Sequence, residues 1–162
     1  MFFKQAEIFW GMDRTFIGEV MEGAEKISCR TDEILFEKGD PALNFYILIK
    51  GRVKINFIEV GKVVHTVSHA GEAFGWSSLT GREYYSAAAI CSEPTQLMQL
   101  NKEMVWKVCE RHPAHGMVFF QRLAGVLGNR LMQSYRMLIR ETQAETAPTS
   151  GTGQVAEPVE AM

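Results

Sequence analysis

The sequence predicts a mainly β domain with flanking helices: a jelly-roll-like β-roll set between a short N-terminal helix and a long C-terminal one. Three observations lead there. From Cys29 to about Asn101, short apolar runs alternate with glycine-marked turns every ten or so residues, the pattern of a small barrel or jelly roll. On both sides of that stretch the apolar spacing changes to the three-and-four period of helices. The chain of 162 residues, 46% hydrophobic and 22% charged, has the size and composition of one domain that buries a core without disulfides or metal.

Asp13, followed by Phe16, Ile17, Val20 and Met21, reads as an N-capped amphipathic helix that fades near Cys29. Glu33 to Phe36 form a strand before the turn Lys38-Gly39-Asp40-Pro41. Phe45 to Ile49 lead through Lys50-Gly51 into Val53 to Phe57, and Gly61 marks a hairpin before Val63 to Val67. Tyr84 to Ile90 and Gln96 to Leu100 supply two more strands. Met104, Val105 and Val108 then lie on one face of a short helix that ends at His112-Pro113, because the residue before proline resists helical geometry. A single helical pattern runs from Ala114 to Thr142. Leu123, Leu127, Leu131, Tyr135 and Ile139 line one row. Ala124, Leu127, Leu131, Ser134 and Leu138 follow the spacing of a coiled-coil seam. That is more apolar surface than one roll covers, so a homodimer through the long helix is expected; a core helix lying back on its own roll is the alternative. The domain is expected to span residues 1–143. The tail, residues 144–162, is rich in Pro, Gly and Thr, lacks aromatics, and is expected to be disordered.

Several functions are disfavoured. A net charge of −2 gives no general attraction to nucleic acid or anionic membrane. Cys29, Cys91 and Cys109 form no C-x-x-C pair and suggest reduced thiols in a cytoplasmic protein. The N-terminus, MFFKQAEIFW, is broken by Lys4, Gln5 and Glu7 and does not read as a signal peptide, and no stretch is apolar enough to span a bilayer. A metal-bearing roll enzyme needs an H-x-H with a further carboxylate and histidine; His65 and His69 stand four apart instead. No G-x-S-x-G elbow or Ser-His-Asp set is visible, so neither catalysis nor a metal is expected. His65, His69, His112, His115 and the cysteines are the candidates for haem or redox sensing, but no attachment motif accompanies them.

The most informative stretch is GEAFGWSSLTGREYYSAAA, Gly71 to Ala89. With Gly39-Asp40, the run Tyr46-Ile47-Leu48-Ile49-Lys50-Gly51 and Ser86-Ala87, it resembles the cyclic-nucleotide-binding domain family. The likeness is to the sensor half of catabolite-activator/FNR-type regulators and covers roughly Phe16 to Glu141. The resemblance implies a double-stranded β-helix roll and a long dimerisation helix. It also implies cyclic AMP or cyclic GMP as ligand, docked against the backbone of Gly75, Trp76, Ser77 and Ser78 after Phe74. Two positions depart from the family pattern. Trp76 stands where a Glu grips the ribose, and Tyr85 stands where an Arg pairs with the phosphate. Hydrogen bonds to charged groups are worth about 1.5–3 kcal/mol each, so losing both costs roughly 3–6 kcal/mol.

Candidate compensators are Arg82, turned inward or simply solvated, and the hydroxyls of Ser77, Ser78, Tyr84, Tyr85 and Ser86, with Ala87 beside them. Trp76 either stacks on a planar ring or fills the pocket. By the same resemblance Thr66, on a strand, and Ser134, on the long helix, flank the base, although Ser134 in a seam also serves to fix register. Two functions follow. One is a non-enzymatic sensor that passes ligand occupancy through the long helix to a protein partner of unknown identity. The other is a ligand-free dimerisation or interaction scaffold plugged by its own aromatics. Transcription factors of the family carry a winged helix-turn-helix after the long helix; here only the tail follows, so direct DNA binding is not expected.

Overall fold

The carboxylate of Asp13 accepts hydrogen bonds from the backbone N–H of Thr15 at 2.8 Å and of Phe16 at 3.3 Å, and the first helix, α1 (Arg14–Glu22), follows from that cap. The computed structural model describes residues 6–57 and 62–146. The helix stops at Gly23, earlier than the expected fade near Cys29. A Cβ at Gly23 would run into the side chain of Met104. The next six residues are drawn instead into β1 (Ala24–Cys29), antiparallel to β8 (Thr95–Asn101) in the register Ala24–Leu100 to Cys29–Thr95.

Six further strands complete the roll among the described residues: β2 (Ile34–Phe36), β3 (Asn44–Lys50), β4 (Val53–Phe57), β5 (Lys62–Val67), β6 (Ala73–Phe74) and β7 (Ala88–Cys91). They form two antiparallel sheets with strand orders β1-β8-β3-β6 and β2-β7-β4-β5. The hairpin expected at Gly61 lies outside the described residues. The strand expected from Tyr84 to Ile90 is shorter than its composition suggests, because only its second half joins a sheet. Its first half pairs with a turn: Gly39 N–H donates to Tyr85 O at 3.0 Å, Tyr85 N–H to Asp40 O at 2.9 Å, and Ala42 N–H to Glu83 O at 2.8 Å.

The two sheets bury one core between them. Tyr46, Leu48, Phe74 and Leu97 come from the first, and Phe36, Val53, Val67, Ala89 and Cys91 from the second, joined by Tyr85. Asn101 caps α2 (Lys102–Arg111), with its side-chain oxygen accepting from Glu103 N–H at 3.0 Å. After His112 the last helix, α3, runs Pro113–Thr146; proline tolerates the first helical position, where its missing N–H would have no partner. Residues 144–146, expected in the tail, therefore continue this helix, and the rest of the tail lies outside the described residues.

The chain divides into two units after Val126. In the first, an aromatic cluster joins α1, the turn before it and the start of α3. Phe119 packs against Phe9 and Phe16 with ring centroids 5.7 and 6.3 Å apart. Glu19 of α1 ties this cluster to the α2–α3 junction, 3.0 Å from Arg111 and 2.9 Å from His112. In the second unit, α3 carries Leu131, Met132, Tyr135, Met137, Leu138 and Ile139, all exposed.

Candidate functional site

The cassette begins where β6 pairs with β3, Tyr46 opposite Phe74 and Ile47 opposite Ala73. Gly71 and Glu72 clamp the approach: Gly71 N–H donates to Leu48 O, and Leu48 N–H to Glu72 O, both at 2.8 Å. Gly75 follows in the left-handed region at φ +80°. A Cβ there would lie 3.1 Å from both Asn44 O and a Tyr46 ring carbon, so the turn needs glycine for its backbone angle and for space. A single 3-10 turn over Trp76–Ser78 comes next.

Within that turn, Ser78 donates both its N–H and its hydroxyl to Gly75 O, at 3.2 and 2.8 Å. Ser77 and Ser78 are buried and Trp76 is half-buried. The Ser78 donors expected in a ligand cradle are thus already engaged within the cassette.

Tyr85 turns into the roll. Its ring lies on Phe36 with centroids 3.7 Å apart and planes 12° from parallel, while Phe36, Tyr46 and Phe74 continue the stack. Two hydrogen bonds tie the phenol to the backbone of one residue: its O–H donates to Asn44 O at 2.6 Å and it accepts from Asn44 N–H at 3.1 Å. Burial pushes both the Tyr85 and Tyr46 hydroxyls above the ordinary phenol range, so both are neutral donors at physiological pH. None of the residues in this core cluster is charged.

The remaining expected residues are scattered. Arg82 does not turn inward; it is exposed, together with Glu83 and Tyr84, because Gly81 at φ +79° turns this segment back along the surface. Lys38, Arg82, Tyr84 and Ser86 border an open cleft of about 630 Å³ whose inner wall is Tyr85. Ala87 is buried. Thr66 pairs with exposed Lys54 and alternates with Val67, which faces the core, so it lies on the outer face of β5. Ser134 belongs to the second unit, and its hydroxyl donates to Arg130 O at 3.0 Å, one turn back on its own helix.

On the same face of β5 as Val67, His65 stands opposite Ile55, partly exposed, with Nε2 3.7 Å from Glu72 Oε1. The other Glu72 oxygen accepts from Ser68 and His69 N–H, both at 2.8 Å. Burial alone would push this carboxyl up; the neighbouring His65 ring and the two backbone donors outweigh it and bring it down to about 2. Sequence reasoning passed over Phe36, Asn44 and Glu72, which fix the site's shape. Strand alternation around Phe36 and Tyr46 was the available signal for the ring stack. Among the described residues, no group of three or more His, Cys, Asp or Glu side chains is placed to hold a metal ion. No helix among them is long and apolar enough to cross a membrane.

A family model described as the cyclic nucleotide-binding domain matches residues 26–112, from β1 to the residue after α2. No curated protein matches the chain by sequence. The structure is similar to a cyclic nucleotide-binding domain from Methylobacillus flagellatus KT, with TM-score 0.74 and 20% identity over 86% of this chain and 80% of that one. It is similar to the catabolite activator protein of Thermus thermophilus, with TM-score 0.68 and 22% identity over 84% of this chain and 63% of that one. It also resembles the c-di-GMP responsive global regulator CLP of Xanthomonas campestris, with TM-score 0.68 and 19% identity over 79% of this chain and 64% of that one. At these identities the likenesses speak for the fold alone.

Proposed function

The chain belongs to the cyclic nucleotide-binding domain family, and from that premise we propose that it is a non-enzymatic, ligand-sensing regulatory module. The ligand is cyclic AMP, cyclic GMP or a related nucleotide. The observation that carries this reading is the cassette backbone: the short strand β6, left-handed Gly75 and the 3-10 turn follow one another within the residues that the family model matches. The fold likeness to a c-di-GMP responsive regulator adds cyclic dinucleotides to the ligands worth testing.

The output is assigned to α3. Six large apolar side chains between Leu131 and Ile139 are exposed, and the three-four spacing of Leu127, Leu131, Ser134 and Leu138 suits a homodimer seam. A ligand that binds two settings of this helix unequally would pass its occupancy to a protein partner. The working compartment in this reading is the cytoplasm.

One observation favours a second reading. Tyr85 is only 5% exposed, and its ring occupies the interior of the roll against Phe36. A ligand-free dimerisation scaffold accounts for that packing without any displacement.

Calorimetry with cyclic AMP and cyclic GMP, paired with a thermal shift, separates the two. Ligand at a hundred times its dissociation constant adds about 2.7 kcal/mol of stability, which raises the melting temperature by several degrees, roughly 4–8 °C per 2 kcal/mol at this size. Saturable heat with such a shift supports the sensor. No heat up to millimolar ligand leaves the scaffold.

A further inference from the structure

Outside the roll, the cassette turn and α2 border a second open cleft of about 390 Å³, within the size range of small-molecule sites. Arg82 and Glu83 stand on its cassette side, and Lys102, Trp106 and Lys107 on its α2 side. Trp106 is 42% exposed, and its indole leans on Phe120 with ring centroids 5.0 Å apart and planes 30° from parallel. An aromatic ring braced on one side and open on the other is a stacking platform for a base.

The charges around the ring are uncommitted. Among the described residues, Arg82, Lys102 and Lys107 make no ion pair, and neither do Glu83, Glu103 and Glu110, which face the same cleft. Guanidinium and ammonium groups suit a phosphate. The carboxylates suit the donors that a simple anion lacks, namely ribose hydroxyls and the amino groups of a base. Ring, cation and carboxylate together match a nucleotide better than they match sulfate, a lipid headgroup or a purely apolar ligand.

The interior of the roll offers the opposite. Phe36, Tyr46, Phe74 and Tyr85 fill it, and the core cluster they belong to contains no charged residue. We propose that the cleft between the cassette turn and α2 is a nucleotide-binding site, with the base on Trp106 and the phosphate on Arg82 and Lys102. This rests on the nucleotide-sensing reading above and moves its ligand from the interior of the roll to the outer face of the cassette.

The test titrates the full chain with 5′-AMP and with cyclic AMP, following heat and tryptophan fluorescence. The expected result is saturable binding, weakened about tenfold or more by Arg82→Glu and by Trp106→Ala, the scale of one lost charged or stacking contact. Circular dichroism accompanies both variants. Arg82 also borders the cleft beside Tyr85, so Lys102→Glu, at a residue of the α2 cleft that does not border that one, decides if Trp106→Ala unfolds: weakened binding supports the inference and unchanged binding overturns it. Saturable binding of cyclic AMP that Arg82→Glu leaves unchanged, but Ser77→Ala or Tyr85→Phe weakens, would return the ligand to the roll; the inference fails and the sensor reading survives. No saturable binding of either nucleotide up to millimolar concentration overturns the inference, and the cyclic GMP titration then decides the sensor reading independently.

Discussion

Tyr85 lies flat on Phe36, ring centroids 3.7 Å apart, and both hydrogen bonds of its hydroxyl go to the backbone of Asn44. The contact joins the segment after the cassette to β2 in one sheet and to the start of β3 in the other. An arginine at this position would bring a guanidinium into a cluster without any carboxylate, at the cost of desolvating an unpaired charge. The tyrosine therefore completes the core without placing a charge in it.

Removing the Tyr85 hydroxyl leaves both backbone groups of Asn44 without that partner. Tyr85→Phe is expected to destabilise the domain by about 1–3 kcal/mol, and Tyr85→Ala by about 3–5 kcal/mol through the lost ring. Urea unfolding measures both; an unchanged midpoint in Tyr85→Ala would mean that the ring does not carry the core.

Gly75 adopts φ +80° with Asn44 O and the Tyr46 ring 3.1 Å from where a Cβ would stand. Gly75→Ala is expected to cost about 1–3 kcal/mol, combining left-handed strain with the displacement of a backbone carbonyl. Gly39→Ala is the comparison, since Gly39 has φ +92° but nothing within 4 Å of a Cβ. Equal melting temperatures for the two variants would remove the close-approach contribution at Gly75.

Much of this arrangement was legible from local signals. The Asp13 cap and the His112-Pro113 break act within a few residues, so they could be read directly. Positive-φ glycines at 39, 51, 71 and 75 marked turns for the same reason. β1 was hidden because Ala24–Cys29 is an outer strand of its sheet, with Glu25, Lys26 and Ser28 exposed, and lacks an apolar alternation. The directions of Tyr85 and Arg82 were hidden for a different reason. Each is set by contacts with distant segments, Phe36 and Asn44 for one and the Gly81 turn beside α2 for the other, which composition and spacing do not encode.

Glu72 gives the roll a pH dependence of known sign. Its carboxyl lies near 2 in the folded chain against an ordinary value of 4.5, with 24% of the side chain exposed. A depressed value stabilises the fold above about pH 4.5, and that contribution disappears as pH falls toward 2; it is on the order of 2–3 kcal/mol. Glu72→Gln should be less stable than the parent at pH 7, and the difference should shrink steadily between pH 5 and pH 2. Denaturant unfolding across that range checks it, and a difference independent of pH would assign the effect to packing.

The three cysteines are buried, and burial pushes the thiols up, Cys29 to about 12 and Cys109 to about 11, with Cys91 raised as well. The nucleophile is the thiolate, so the native protein should react with a thiol reagent at pH 8 far more slowly than the urea-unfolded chain. Rapid native labelling of any of the three would reopen a redox role.

The exposed row on α3 supplies the remaining prediction. Leu131 and Leu138 are 51% and 58% exposed and stand seven residues apart, so they recur on one face of the helix. Burying two such side chains against a second copy is worth about 1.5–3 kcal/mol each, and a buried glutamate in their place costs more than it removes. Leu131→Glu with Leu138→Glu should therefore convert a dimer into a monomer in light scattering at micromolar concentration. The circular-dichroism signal of the roll should be retained, because neither residue belongs to its core. If the parent is already monomeric at those concentrations, this face does not join two copies, and the regulatory signal must leave the domain by another route.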